Sequence, residues 1–259
     1  MHRMILACAP RDVTQAKGFG LSVAQIAYQI AHDGTLQRAN NASDTGESFL
    51  FLTAQQQSTV DVNKLEQLAQ AITQECQRQN FSAMVYAIFQ NHPFFHHLAQ
   101  LLSIKLKGVR LYLPEIYATS SDAAQIIIPT AIWAGSLEQK LKKAVASYGK
   151  ERICLDIERL RLDFSLHSQT KDGEKISAQN LYKKRRQYQP NSYFSQDLQA
   201  YYFSYEDTHG THFVMYDDTY SICEKLSLAR KLGITESMVL YSEVEDILPG
   251  ISKKLSELI

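Results

Sequence analysis

The sequence predicts an α/β fold, a closed (β/α)8 barrel, and three observations carry that prediction. Eight short apolar segments punctuate the chain: Arg3–Ala9, Ala24–Ala31, Ser48–Thr53, Ser82–Phe89, Val109–Ile116, Gln125–Trp133, Arg152–Ile157 and Ser237–Tyr241. Strand-like and helix-like stretches alternate over most of the length, which is the pattern of a parallel sheet. The 259 residues match the roughly 250 that an eight-stranded α/β barrel needs.

In chain order, the stretch between the second and third segments, Asp33–Glu47, is polar and without periodicity, so no helix is expected there. Asp61 is placed to cap a helix over Val62–Asn80, with Leu65, Leu68, Ile72 and Cys76 on one face. Phe94–Leu106 is amphipathic, and Ser136-Leu137-Glu138-Gln139 opens a capping-box helix that ends before Gly149. Ser165–Lys175 reads as a polar loop and Ala178–Tyr188 as a helix carrying the basic run Lys183–Arg186. With no aromatic residues interleaved to stack on bases, that run reads as a solvated helix face. Gln199–Tyr205 and Thr211–Tyr216 are aromatic and β-branched runs flanking Glu206–Gly210, a β-hairpin signature. Ser221-Ile222-Cys223-Glu224 reads as a second capping box. Its helix repeats Ile222, Leu226, Ala229 and Leu232 and ends at Gly233; the continuously apolar Ser237–Tyr241 follows, as in a parallel strand covered on both faces. The expected organisation is one domain over residues 1–259, with a hairpin excursion between the seventh and eighth strands and no separate insertion domain.

Twenty-seven basic and 27 acidic residues give a formal net charge of zero, so no overall field favours nucleic acid or an anionic membrane. Cys8, Cys76, Cys154 and Cys223 are widely spaced with no C-x-x-C pair. They read as small core hydrophobes in a reducing compartment. No run approaches the ~18 apolar residues of a membrane span, and the N-terminal apolar stretch is too brief for a signal sequence. A cytoplasmic or spore- and envelope-associated location is expected. His92, His96 and His97 fit no metal-ligand spacing and no phosphate loop is present, so neither metal nor cofactor is expected. The sequence carries no signal for oligomeric state.

The last sixty residues are dense in motif: Tyr202-Phe203-Ser204-Tyr205, Gly210, His212, Val214, Tyr216-Asp217-Asp218, Ser221, Lys225, Ala229-Arg230-Lys231, Gly233 and Tyr241. This order of residues resembles the C-terminal part of glycoside hydrolase family 18, especially its bacterial spore-cortex and peptidoglycan-type branch. The resemblance extends more weakly to Tyr28–Leu36, similar to the family's second strand and Asp-Gly turn. It extends also to Arg152–Phe164, where Asp163-Phe164 stands in for an Asp-Trp ending of the seventh strand.

What the resemblance implies is a substrate-assisted glycosidase, in which the sugar's own N-acetyl group attacks the anomeric carbon. The protein then supplies one protonated glutamate, at the end of strand four in the pattern Asp-x-x-Asp-x-Asp-x-Glu. The preceding Asp orients the acetamide. With Ala83 in place of the family glycine, the later aspartates become Val85 and Ala87, and the glutamate becomes Phe89, or Gln90 after a slip of one. No proton donor remains at those positions. The tyrosine expected after strand six is absent from Ile128-Pro129-Thr130-Ala131, and the tryptophan of strand eight is Tyr241.

Glu158 and Glu115 are the displaced acids that the strand ends offer. Asp156 and Glu158 lie two apart and so on one face of a strand, where ion pairs with Arg159, Arg161 or lysines compete with an acid role. The cleft candidates are Tyr86, Gln90, Glu115, Tyr117, Trp133, Asp156, Glu158, Tyr241 and Glu243; among these the aromatic rings either stack on sugars or simply pack at the rim. The expectation is a protein that binds an N-acetylglucosamine-containing glycan, chitin- or peptidoglycan-like, without cutting it, or that acts as a scaffold; the alternative is an active N-acetylglucosaminidase.

Overall fold

The computed structural model describes residues 2–42, 49–55, 62–166 and 173–257. The proposed cap Asp61, the start of the third segment at Ser48 and much of the two polar loops lie outside the described residues.

The first half of the chain lays down β1 (Arg3–Cys8), β2 (Ser22–Gln25), β3 (Tyr28–Ile30), β4 (Leu36–Arg38), β5 (Phe49–Ala54), β6 (Ala83–Tyr86), β7 (Arg110–Pro114), β8 (Gln125–Pro129) and β9 (Ile153–Asp156). Four helices fall among them: α1 (Val13–Lys17), α2 (Leu65–Arg78), α3 (Pro93–Lys105) and α4 (Leu137–Tyr148). The chain then leaves this sheet for β10 (Arg161–Ser165), β11 (Glu174–Lys175), helix α5 (Ala178–Tyr188), β12 (Tyr193–Ser195), β13 (Ala200–Asp207) and β14 (Gly210–Tyr216). It returns through α6 (Thr219–Lys231) to β15 (Glu236–Leu240), followed by α7 (Tyr241–Val244) and α8 (Leu248–Glu257).

The larger sheet has ten strands in the order β2-β1-β15-β9-β8-β7-β6-β5-β3-β4 and is parallel throughout except for the β3–β4 pair. All eight apolar segments of the sequence contribute a strand to it. The segment Ser22–Ile30 contributes at both ends of that order: β2 pairs with β1, β3 pairs with β5, and only Ile26 and Ala27 separate them. Ile26 N–H donates to the Cys8 carbonyl at 2.8 Å across this break. The sheet is therefore strongly curled, with a concave side lined by Ile5, Ala7, Ala24, Phe49, Phe51, Ala83, Val85, Tyr112, Ile127, Cys154 and Met238 in one cluster. Its convex side packs against the helices in two further clusters, which is why these strands are apolar on both faces. At the N-terminal ends of the strands, Glu236 accepts from Tyr112 (3.0 Å) and pairs with Arg3 (3.1 Å) and Arg110 (3.6 Å), closing that end with charge.

Side-chain caps start α3, α4, α5 and α6. The Ser136 hydroxyl accepts from Gln139 N–H at the start of α4, and Gly149 takes φ +81° after it. The α6 start corrects the sequence reading: the N-cap is Asp218, whose carboxylate accepts from Ser221 N–H (3.0 Å) while the Ser221 hydroxyl accepts from Asp218 N–H (2.9 Å). Ser221 thus occupies the third helical position of the capping box, and the helix begins one turn earlier than the sequence suggests.

The excursion between β9 and β15 is also larger than a hairpin. β13 and β14 form the expected hairpin, in register from Tyr201↔Tyr216 to Asp207↔Gly210. They sit inside a five-stranded antiparallel sheet, β11-β10-β14-β13-β12, with α5 packed on it through Leu181 and an aromatic core around Phe203, Tyr205 and Tyr216. The short strands at its margins lack long alternating runs, so the sequence shows only the central pair. Asp163 and Phe164 lie in β10 of this sheet and not at the end of the seventh parallel strand, because that strand stops at Asp156.

Candidate functional site

Groups that project from the C-terminal ends of parallel strands share one rim, and that rim holds the candidate site. There the concave side of the large sheet opens into a cavity of about 260 Å³. Ala7, Ile26, Phe51 and Thr53 form one wall; Val85, Ala87 and Phe89 form the second; Ile127, Asp156, Met238 and Leu240 complete it.

The three residues Val85, Ala87 and Phe89 reach the cavity because they alternate along β6 and its extension, while Met84, Tyr86 and Ile88 turn to the helices. This alternation selects Phe89 over Gln90 as the residue at the position where the resemblance leads one to look for a glutamate. Gln90 instead ties two loops together: its amide donates to the Gln55 carbonyl at 3.4 Å, and its own carbonyl accepts from the Tyr117 hydroxyl. Phe89 is 64% exposed at the lip of the cavity.

Asp156 is the one charged residue among the described residues of the lining. It closes β9, its main-chain carbonyl accepting from Thr130 N–H (3.0 Å) and hydroxyl (2.9 Å). Among the described residues none donates a hydrogen bond to its carboxylate. Burial among apolar side chains, and secondarily the nearby Glu158 charge, pushes its pKa up from 3.8 to about 6. The one polar side chain beside it in the lining, Thr53, already donates to the Tyr28 carbonyl at 3.2 Å.

Of the cleft candidates read from the sequence, the cavity takes only Asp156. Glu158 and Glu115 are exposed outside it, Glu115 accepting from Tyr148 at 3.4 Å. Glu243 is engaged by Arg161 and, at 3.0 Å, by Lys175. Trp133 is exposed on the loop after β8 and lies outside the cavity lining. Tyr86 and Tyr117 lie outside the cavity lining: both are fully buried against the helices, 5.3 Å apart edge to face, with the Tyr86 hydroxyl on the Phe95 carbonyl. Tyr241 is likewise buried, packing on Phe19 on the convex side, and Leu240 takes the inward position. A strand apolar on both faces conceals which parity faces inward; the β-alternation that places Met238 inside places Leu240 there too, and this was the signal to follow.

Within the motif-dense stretch, the residues that join the hairpin to α6 build structure away from the cavity. Asp217 is fully buried and accepts from Lys225 Nζ (2.6 Å), the Ser221 hydroxyl (2.7 Å) and Leu160 N–H (2.8 Å). Arg159, also buried, donates to the Asp217 carbonyl (3.3 Å), the Glu243 carbonyl (3.1 Å) and Asp246 (2.5 Å). In the smaller sheet, Asp163 gathers His212 (2.9 Å), the Tyr205 hydroxyl (2.8 Å) and Lys184 (3.0 Å). Burial opposes ionisation of Asp163, but these hydrogen bonds outweigh it and hold the carboxyl below its ordinary range. Lys184 thereby leaves the solvated face expected for its basic run. No described helix is long and apolar enough to cross a membrane, and no cluster of metal-ligating side chains occurs among the described residues.

No protein-family model and no curated protein matches the chain. Solved structures do. The chitinase of Chromobacterium violaceum ATCC 12472 superposes with a TM-score of 0.73 at 15% identity, covering 99% of both chains. The spore cortex-lytic enzyme SleL of Bacillus cereus gives 0.71 at 16% identity, over 99% of this chain and 75% of its own. A class V chitinase of Pseudomonas fluorescens Pf-5 gives 0.70 at 12% identity, covering 99% of both. The chain thus has a mixed α/β fold like that of chitinases and spore cortex-lytic enzymes.

Proposed function

We propose that this chain is a family 18-type barrel, closed at Ser22–Ile30, which binds an N-acetylglucosamine-containing glycan at the strand mouth without hydrolysing it. The observation that carries the proposal is the inward row Val85, Ala87 and Phe89: an alkyl group, a methyl and a ring stand where a glycosidase of this kind needs carboxyls, and none donates a proton. The cavity remains open above them, and Phe89 offers an exposed ring to a sugar face. The likeness to chitinases and SleL supports a chitin- or peptidoglycan-like ligand and a spore or envelope setting.

Calorimetry with chito-oligosaccharides and peptidoglycan fragments tests the proposal. Binding is expected with no release of a fluorophore from an N-acetylglucosaminide. Silence up to millimolar ligand overturns it. Phe89→Ala is expected to weaken binding about tenfold, the loss of one ring contact.

One observation favours a second reading, a live hydrolase: Asp156 faces the cavity with a pKa near 6, as a general acid requires. It predicts turnover that disappears in Asp156→Asn and survives in Glu158→Gln and Glu115→Gln. Asp156 stands on β9 and not on β6, so the acid would come from a different strand than in the enzymes the sequence resembles.

A further inference from the structure

We infer that the mouth selects a hexosamine whose amino group is free and protonated, seated on Asp156, over its N-acetylated counterpart. This rests on the glycan reading above and narrows it: within an N-acetylglucosamine-containing glycan, the sugar seated at the mouth is one that has lost its acetyl group.

The argument is one of donors and acceptors. A buried acetamide needs two partners, an acceptor for its N–H and a donor for its carbonyl. Among the described residues the cavity supplies the first, at Asp156, and lacks the second. Val85, Ala87, Phe89, Ile127 and Met238 carry no donor, and the Thr53 hydroxyl is spent on the Tyr28 carbonyl at 3.2 Å. An acetamide carbonyl lodged there would lose its water without replacement, which opposes binding. An ammonium has three donors and no acceptor, so it leaves nothing unpaired.

The carboxylate has the complementary need. Among the described residues nothing donates to it, and the apolar walls deny it a partner of their own. A charge so placed is relieved by a cation that arrives with the ligand. Burial and Glu158 raise its pKa to about 6, which still leaves it ionised at neutral pH. Because the chain has a formal net charge of zero, a general attraction for cationic sugars does not explain a preference.

The test is calorimetry of the full chain at pH 7 with two probes, the tetramer of glucosamine and the tetramer of N-acetylglucosamine. The glucosamine tetramer is expected to bind at least tenfold more tightly. In Asp156→Asn that advantage should vanish, through weaker binding of the glucosamine tetramer and not through stronger binding of the other. Equal affinities in the wild-type chain, or tighter binding of the acetylated tetramer, overturn the inference and leave the glycan reading standing. Failure of both tetramers to bind overturns the glycan reading itself. A preference that persists in Asp156→Asn also overturns the inference, since another group would then be its source.

Discussion

Asp156 is held at a disadvantage by the fold. Its carboxyl carries a pKa near 6 against 3.8 for a free aspartate, so the folded state resists its ionisation. Below about pH 3.8 the group is protonated whether the chain is folded or not, and the penalty is absent; it grows as pH rises to about 6 and is constant above. A displacement of this size corresponds to about 3 kcal/mol at most. Asp156→Asn is therefore expected to stabilise the protein at pH 7 by about 1–3 kcal/mol in urea denaturation, with the gain disappearing near pH 4. A residue whose removal stabilises the fold is one kept for something other than stability. Asp217 shows the opposite case: an acid buried more completely, but given three donors.

At the scale of elements, α6 is pinned to the chain between β9 and β10. Its Lys225 and Ser221 both reach Asp217, which accepts from Leu160 N–H in that connection. Lys225→Met strands the Asp217 charge in the interior and is expected to cost about 3–5 kcal/mol, read as a lowered denaturation midpoint. The double variant Lys225→Met with Asp217→Leu should recover part of that loss, because it removes the uncompensated charge. Asp218→Ala removes the α6 cap and is expected to cost about 1 kcal/mol in the same measurement. The motif residues Asp217, Ser221 and Lys225 thus tie α6 to the β9–β10 connection and take no part in the cavity lining. A motif of this sort is legible in sequence because buried ion pairs and caps need particular residue types at particular spacings. Its role was not legible, since a buried Asp–Lys pair and a catalytic one draw on the same residues.

For the whole molecule, the Arg159–Asp217–Lys225 network joins a curled parallel sheet to a five-stranded antiparallel one across buried polar contacts. The two sheets are expected to unfold as one unit. The single tryptophan, Trp133, follows β8 in the large sheet, whereas β13 and β14 lie in the small one. Tryptophan fluorescence and hydrogen exchange of the β13 and β14 amides should therefore report coincident denaturation curves. In Lys225→Met they should separate, and coincidence there would show that the network does not couple the sheets.

The sequence by itself determined the eight parallel segments, the central hairpin, the helices α3, α4 and α5 and the absence of carboxyls along β6, because apolar runs, caps and alternation are local properties of the chain. At the end of that row it left Phe89 and Gln90 as alternatives, and the structure put Phe89 beside Val85 and Ala87. Only the tertiary structure decided which face of each strand looks inward: it buried Tyr86, Tyr117 and Tyr241 against the helices, put Leu240 at the mouth, and left Asp156 as the single charge among the described residues of the cavity. A strand covered by apolar neighbours on both sides has no polar face to mark its outside. The direction of its side chains is settled by the curl of the sheet, which depends on strands far apart in the chain.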